Sequence, residues 1–491
     1  MMKILMLAAV LLPLFCAPLF AMKRFRNIRA LKALTYVAVL ATSAMVLALC
    51  AAYDGGMLKL AHITSLLTIG LNVDGMSRVF GCVVAILWPI TTLYAFDYMK
   101  EDHKKQRFFS FFVLSYGAAV GVAFAGNLVT MYLFYELLTL ATLPLVMHKM
   151  DDRARYAGKR YLVYSIGGAS LGFIAVVFTA NYGGANAAFA LEGVLDASLV
   201  AGHEQLLRTV FTLAFFGFGV KAAIMPLSGW LPTASVAPTP VTALLHAVAV
   251  VKAGAFACIR LTYYTFGTEL LRGTFAQYIP MAAALFTIVY GSARALRTNH
   301  LKRRFAYSTV SNLSYILLGV TMMSATGLMA SAQHIVSHAF VKITLFFCVG
   351  AVLEKERKEY LDEIEGIGRR MPVTFACFTV ASLALISMPP LPIFFSKWAI
   401  GESAIELATG WGYVSVAALL VSTVLTALYT LGIVTRAFFP LGNPQMTPGK
   451  RTETRSMSVA ILIVTVLMVL LGLLSGTVHT TLAQWLIGGA A

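Results

Sequence analysis

Several charged and imidazole side chains lie inside otherwise apolar runs of this chain. Glu136 lies in NLVTMYLFYELLTLATLPLV, Lys221 in FGFGVKAAIMPLSGWLP, and His246 and Lys252 in LLHAVAVVKAGAF. QHIVSHAFVKITLFFCVG carries His334, His338 and Lys342, and ISMPPLPIFFSKWAI carries Lys397. A charge near the centre of a bilayer costs about 2.5–3.5 kcal/mol on insertion scales, so such residues are rare and face the interior of a bundle. Lysine is informative as a type: its proton affinity falls readily on burial, so a nearby carboxylate or water can switch it between charged and neutral. Each step of a proton relay needs that property. His334, His338 and Lys342 follow one another at i, i+4 and i+8, on one helix stripe with steps of about 6 Å that a side chain and one water can bridge.

Bland readings stand beside this one. Glu136 or Lys397 at a span end would snorkel to water, Glu136 and Lys221 would make a packing ion pair, and His246 alone would be a hydrogen-bonded structural histidine. Histidines at i and i+4 can share a metal ion, but no acidic or cysteine ligand lies near His334 and His338 in sequence, and the next polar residue is a cation. No metal is expected.

These residues need apolar elements to hold them, and the composition supplies those. Hydrophobic residues make up 59% of the chain and charged residues 12%, about half the charge of a soluble domain, with a mean hydropathy of +0.80. Stretches of about 20 apolar residues mark membrane spans. About fourteen are read here, near 4–21, 31–53, 77–97, 108–125, 127–147, 160–181, 208–227, 239–262, 275–292, 304–323, 329–353, 372–408 (interrupted), 411–438 and 457–486. They leave no room for a soluble domain. The expected fold class is an all-α polytopic membrane protein in a lipid bilayer.

The net charge of +17 is a topology signal. Lys and Arg gather in alternate loops: Lys23–Lys32, Lys100–Arg107, Lys149–Arg160, Arg294–Arg304, Lys355–Arg370 and Lys450–Arg455. The positive-inside rule places these loops in the cytoplasm or its equivalent and both termini outside. The loop after span 7 has no basic residue, so its side follows from parity alone. Nucleic acid is not an expected partner. The first apolar run could pass for a signal peptide, but one lysine precedes it and five basic residues follow, which favours a retained helix.

The six cysteines form no CxxC, which gives no iron–sulfur or zinc spacing, and no Gly-rich phosphate loop follows a strand because no strand is expected. No cofactor is expected in this chain; any electrons are carried by another subunit. Prolines interrupt two spans. Pro226 follows Lys221 in span 7, and Pro389, Pro390 and Pro392 precede Lys397 in span 12. Interrupted helices at matching places point to inverted repeats around an ion site. Spans 7 and 12 are five apart, which suggests repeats of spans 4–8 and 9–13: three N-terminal helices over 1–97, a first repeat over 108–262, a second over 275–438 and a C-terminal helix over 457–486.

The chain resembles the antiporter-like, ion-translocating subunits of the complex I membrane arm, of Mrp-type cation/proton antiporters and of membrane-bound hydrogenases. The segments that carry the resemblance are LNVDGMSRVF with Asp74, the Glu136 segment, VKAAIMPLSGWLPTASVAPTPVTALLHAVAVVKAG, HIVSHAFVKITLFFCVGAV and PPLPIFFSKW. The resemblance implies fourteen helices, inverted five-helix repeats with helices 7 and 12 broken, and a polar axis of Glu136, Lys221, Lys252, Lys342 and Lys397 with His246, His334 and His338 beside the lysines. Two positions depart from many members: Tyr135 stands where a tryptophan precedes the glutamate, and Ser228 where many have histidine. No long lateral helix follows span 14, and His334 and His338 are similar to the largest complex I member and to Mrp-type relatives. The implied function is proton translocation within a redox-driven complex, with membrane-arm subunits and a peripheral arm of iron–sulfur subunits as partners, in a bacterial or archaeal inner membrane. A redox-independent Mrp-type antiporter is the alternative, and a structural membrane scaffold the remote one. One carboxylate among four lysines and three histidines favours protons over sodium.

Overall fold

Lipid offers no hydrogen bonds, so an apolar chain that enters it closes its own backbone as helix. The computed structural model describes residues 2–64, 67–183, 187–439 and 451–488; Lys450, counted above among the basic loops, lies outside them. The N-terminal group is α1 (Met2–Leu19), α2 (Ile28–Ala52) and α3 (Gly75–Tyr98), with strands β1 (Leu58–His62) and β2 (Thr68–Leu71) between α2 and α3. Next come α4 (Lys105–Ala123), α5 (Leu128–Val146), α6 (Asp152–Tyr182), the short α7 (Ala197–Val200), α8 (Glu204–Gly219), α9 (Trp230–Ala234), α10 (Thr239–Ala247) and α11 (Val250–Ile259), which runs on as π-helix over Arg260–Phe266. The short α12 (Thr268–Leu271), then α13 (Phe275–Arg297), α14 (Leu301–Thr321), α15 (Ala325–Glu356), α16 (Pro372–Ile386), α17 (Pro392–Glu406) and α18 (Gly410–Phe438) follow. The chain closes with α19 (Arg455–Leu473) and α20 (Ser475–Ile487). Side-chain caps start several of these helices where polar residues precede apolar runs: Asp74 at α3, Asn127 at α5, Asp151 at α6 and Ser324 at α15.

Among the described residues, ten helices are long and apolar enough to cross a membrane, counting Thr239–Phe266 as one. The other expected spans coincide with α4, α8, α14 and the α16–α17 pair, which are shorter or more polar. Thr239–Phe266 is wholly buried and α15 nearly so, whereas α6, α18 and α19 expose Val163, Leu420, Val424 and Leu462 on their outer faces. The interior therefore sits around α10, α11 and α15, and the lipid-facing apolar surface lies outside them.

The loops sort into two ends. Hydrogen bonds join the basic loops to one another: Gln106 to the Phe20 carbonyl at 3.0 Å, Arg107 to that of His148, the Leu301 amide to the Glu359 carbonyl at 2.9 Å, and the Thr452 hydroxyl to Glu356 at 2.6 Å. Lys302 donates to the Ala237 carbonyl at 2.7 Å, which puts the uncharged loop after span 7 at this same end, as parity requires. At the other end the Phe189 amide meets the Gly126 carbonyl, that of Val194 meets Thr265, and Thr326 meets Glu406.

Three expectations need correction. Strands do form: β1 and β2 pair antiparallel in the loop between α2 and α3. This segment lies over the bundle end, where Asn127 donates to the Thr68 carbonyl at 2.7 Å and the Gly70 amide to Thr130 at 2.9 Å, so its backbone finds partners without a helix. Span 8 is broken at Val248–Ala249, where both amides turn back to the Leu244 carbonyl. No proline announces that slip. The last span is likewise two helices, with the junction at Leu474. A Cβ on nearby Gly472 would lie 2.3 Å from the Pro390 carbonyl oxygen, so only glycine lets α19 approach the break in span 12 this closely.

Candidate functional site

Span 7 stops being α-helical at Gly219, ahead of Pro226, and the carbonyls it frees are met by side chains. The Tyr135 hydroxyl donates to the Phe218 carbonyl at 3.0 Å and Trp230 Nε1 to that of Val220 at 2.8 Å, while the Met225 amide reaches the Thr287 hydroxyl at 3.0 Å. Lys221 sits in this irregular stretch, fully buried. Its amino group donates to the Tyr135 backbone carbonyl, lies 3.2 Å from the centroid of the Tyr135 ring, and stands 3.9 Å from Glu136 Oε1. A cation over an aromatic face is electrostatically attracted to it, so Tyr135 holds the lysine with its carbonyl and ring together. Ser228 turns its hydroxyl to the Met225 sulfur at 2.9 Å and takes no part.

Glu136 is in the middle of α5, which removes the snorkelling reading. It is nonetheless at the rim of the molecule: its side chain is 25% exposed and flanked by exposed Leu133 and Leu140. Glu136 Oε1 is itself buried with no hydrogen-bond partner, so the pair with Lys221 is loose.

Lys252 and His338 meet directly. Both are fully buried, and the Lys252 amino group is hydrogen-bonded to His338 Nδ1. The His338 ring lies nearly parallel to that of His334, centroids 5.8 Å apart, as the i, i+4 spacing requires. His334 Nδ1 is 2.9 Å from the Ser396 hydroxyl, and the next residue is Lys397, which donates to Thr423 at 3.2 Å and lies 5.0 Å from the Tyr315 ring centroid. Lys397 is 8% exposed, so it does not snorkel. In the opposite direction along α15, Lys342 donates to the Ser308 hydroxyl at 2.7 Å and the Phe305 carbonyl at 3.2 Å, and the Ser308 and Tyr429 hydroxyls are hydrogen-bonded at 2.5 Å. Side chains thus follow one another from Lys252 through His338 to His334, and the Tyr315 ring, 5.5 Å from that of His334, lies between His334 and Lys397.

His246 differs from the expectation of one continuous helix with Lys252, because the slip at Val248–Ala249 lies between them. Its ring packs on Phe346 at 4.9 Å, and both ring nitrogens are buried without partners. A buried imidazole without protein partners is a place for water. Among the described residues no hydrogen bond joins Lys221 to Lys252; the two segments touch at Gly254, where a Cβ would lie 2.5 Å from the Ala222 amide nitrogen.

The sequence reading missed Lys302, Ser308, Tyr315, Tyr429 and Ser396. Ser308, Ser311, Asn312 and Tyr315 form a polar stripe at helical spacing in α14 that was visible as a pattern. Ser396 had no signal beyond its place beside Lys397. Among the described residues, only Lys221 of these buried lysines has a carboxylate in ion-pair range. Charging Lys252, Lys342 or Lys397 therefore raises the cost of charging the next.

Comparison with known proteins adds to this geometry. The family described as NADH:quinone oxidoreductase/Mrp antiporter, TM, matches residues 125–426, and the complex I chain 5 N-terminus family matches 63–109. The chain is 31% identical over 439 residues to NADH-quinone oxidoreductase subunit N of Desulforudis audaxviator, covering 85% of this chain and 84% of that one. It is 31% identical over 341 residues to a probable K(+)/H(+) antiporter subunit of Rhizobium meliloti, covering 69% of this chain and 33% of that one. In fold it is similar to a chain of the membrane-bound sulfane sulfur reductase, an archaeal respiratory membrane complex, with TM-score 0.84 and 22% identity over 98% and 96% of the two chains. A chain of the Mrp complex from a Dietzia species gives TM-score 0.82 and 20% identity over 98% and 97%.

Proposed function

Because the chain belongs to the NADH:quinone oxidoreductase/Mrp antiporter membrane family, we propose that it is a proton-translocating, antiporter-like subunit of a redox-driven membrane complex. The observation that carries the reading is the buried series Lys252, His338 and His334, with Ser396 on the His334 ring and Tyr315 between that ring and Lys397, and with Glu136 and Lys221 at the other edge of the bundle. The lysines and histidines can each hold or release a proton, and a hydroxyl can accept one while giving another. A proton arriving at one lysine disfavours charge on the next, which drives it onward. Lys342, hydrogen-bonded to Ser308, and His246, without partners, would complete the relay through water.

The basic loops would face the cytoplasm of a bacterial or archaeal cell, with both termini outside. That assignment is supported by the segregation of the loops into two ends and by the placing of α20 against α3 at the uncharged end, where a Gly75 Cβ would meet the Trp485 carbonyl. The two proline breaks, five expected spans apart, support inverted repeats over 108–262 and 275–438. The relatives are named as subunits, so this chain works beside other membrane subunits. A peripheral iron–sulfur arm would supply the electrons, since the reading places no cofactor in this chain.

A second reading, as part of an Mrp-type antiporter, is supported by the match to such chains. The purified complex in proteoliposomes distinguishes them. Proton uptake that starts only when an electron donor is added supports the redox-driven reading. Donor-independent proton movement driven by a sodium or potassium gradient favours the antiporter, and sodium-dependent charge movement without protons overturns the proton assignment.

A further inference from the structure

Lys302 was counted among the loop charges, yet it is 5% exposed and lies within the bundle at the start of α14. Its amino group donates to one acceptor among the described residues, the Ala237 carbonyl at 2.7 Å. An ammonium has three donors. Arg304, two residues on, shows what a purely structural cation looks like here: it donates to the carbonyls of Thr298, Leu296 and Tyr429 at 2.8–2.9 Å. Lys302 is held much less completely.

Its neighbours lead in two directions. Toward the loops it feels Lys149, Glu359 and His300, of which His300 and Glu359 pair at 3.4 Å. Toward the interior, the Ala237 carbonyl that it holds leads into α10 and His246, whose two nitrogens have no partner. One turn along α14, about 4.5 Å on, is Phe305, whose carbonyl accepts from Lys342, and one further turn on is Ser308, which also accepts from it. Ala237 precedes α10, the helix that carries His246. Lys302 thus lies between the basic loops and both of the side chains that the series from Lys252 to Lys397 leaves out.

We propose that Lys302 is the proton-uptake residue that joins the basic-loop end of the bundle to His246 and Lys342. The amine takes a proton from loop water; the ammonium passes one through water to an imidazole nitrogen of His246, or by way of the Ser308 hydroxyl to the amine of Lys342. Only N–H and O–H bonds form and break, no electrons move, and each donor is neutralised as its acceptor gains the charge. The proposal rests on the relay reading given above.

The test uses the whole complex in proteoliposomes with Lys302→Gln, Lys302→Met and Lys302→His, and Lys252→Met as the reference for the relay. Gln keeps a hydrogen-bond donor and loses the charge together with its titration. Donor-driven proton uptake is expected to fall at least tenfold in Gln and Met with assembly intact. In Lys302→His uptake is partly restored, with the alkaline limb of the pH–rate profile moved to lower pH, since an imidazole releases its proton more readily than an amine in the same site. Full uptake in the assembled Lys302→Gln complex, or an unmoved profile in Lys302→His, overturns the proposal. If uptake survives in Lys252→Met as well, the relay reading itself has failed; if it is lost there and kept in Lys302→Gln, only the role of Lys302 has.

Discussion

Replacing Lys252 by methionine tests the relay at its closest contact. Methionine keeps the length and apolar stem and removes the amino group that meets His338 Nδ1. Two effects on stability oppose each other. A charge no longer has to be carried at mid-helix, a relief of about 2.5–3.5 kcal/mol for whatever fraction of the time the lysine is charged. His338 Nδ1 loses its partner, which costs about 1–3 kcal/mol, and Nε2 of the same ring already has none. The net change lies between about 3 kcal/mol lost, if the lysine is never charged, and about 2.5 kcal/mol gained, if it always is, so the complex should assemble. Transport should not survive. No other side chain is hydrogen-bonded to His338 among the described residues, so the proton must cross a gap; each tenfold loss corresponds to about 1.4 kcal/mol of barrier, and a fall of tenfold or more is expected. Lys252→Arg should also fail, because a guanidinium does not release its proton. The assay is donor-driven proton uptake in proteoliposomes beside a native-gel assembly check. Wild-type uptake by an assembled Lys252→Met complex would falsify the reasoning.

Glu136→Gln removes the carboxylate that, among the described residues, lies in ion-pair range of Lys221. At 3.9 Å the attraction is about 4 kcal/mol at an effective dielectric of 20 and less at this partly exposed rim, so uptake should fall while assembly persists; a complex that no longer assembles would make the pair structural. Trp230→Phe leaves the Val220 carbonyl without its indole donor and should cost about 1–3 kcal/mol, read as a lower midpoint in thermal unfolding; an unchanged midpoint would mean that water replaces the indole. In the loop between α3 and α4, burial raises the Asp102 carboxyl, but the hydrogen bond from His148 at 3.0 Å and the Lys104 amide outweigh it and hold its pKa below 3.8. Such a group stabilises above its unfolded value and loses that contribution as pH falls through the lower folded value. Asp102→Asn should therefore increase protease cleavage of the loops after α3 and α5 at neutral pH, with the difference from wild type vanishing only below about pH 4; equal cleavage at pH 7 counts against the bridge.

Much of this arrangement was legible in the chain itself, for identifiable reasons. Buried ionisable residues are costly in lipid, so Lys221, Lys252, Lys342 and Lys397 stood out against apolar sequence and all four are interior. The i, i+4 spacing was enough to place His334 and His338 in one stack, because α15 is an uninterrupted helix. Prolines marked the breaks in spans 7 and 12. The slip in span 8 carries no such marker: alanine and valine fit a helix or a kink equally, and only packing among α10, α11 and α15 decides. Lys302 was hidden for another reason. Its neighbours Arg303 and Arg304 made a loop-like cluster, and sequence does not tell which member of a charge run turns inward. Nor could position show that Glu136, though mid-helix, would face the rim.

Tyr135 is used three times over: its hydroxyl holds the Phe218 carbonyl, its ring lies against the Lys221 amino group, and its own carbonyl accepts from that same amine. Only the last of these belongs to the backbone and would survive any substitution. The other two ask one side chain for a π face and a hydrogen-bond donor at its edge. Phenylalanine meets the first demand, histidine part of each, and tryptophan both, through its indole N–H. A saturation library at this codon, selected for growth that depends on the complex, should thus return a narrow set dominated by Tyr and Trp. The allowed alphabet at position 135 is a fingerprint of the helix break eighty-odd residues downstream.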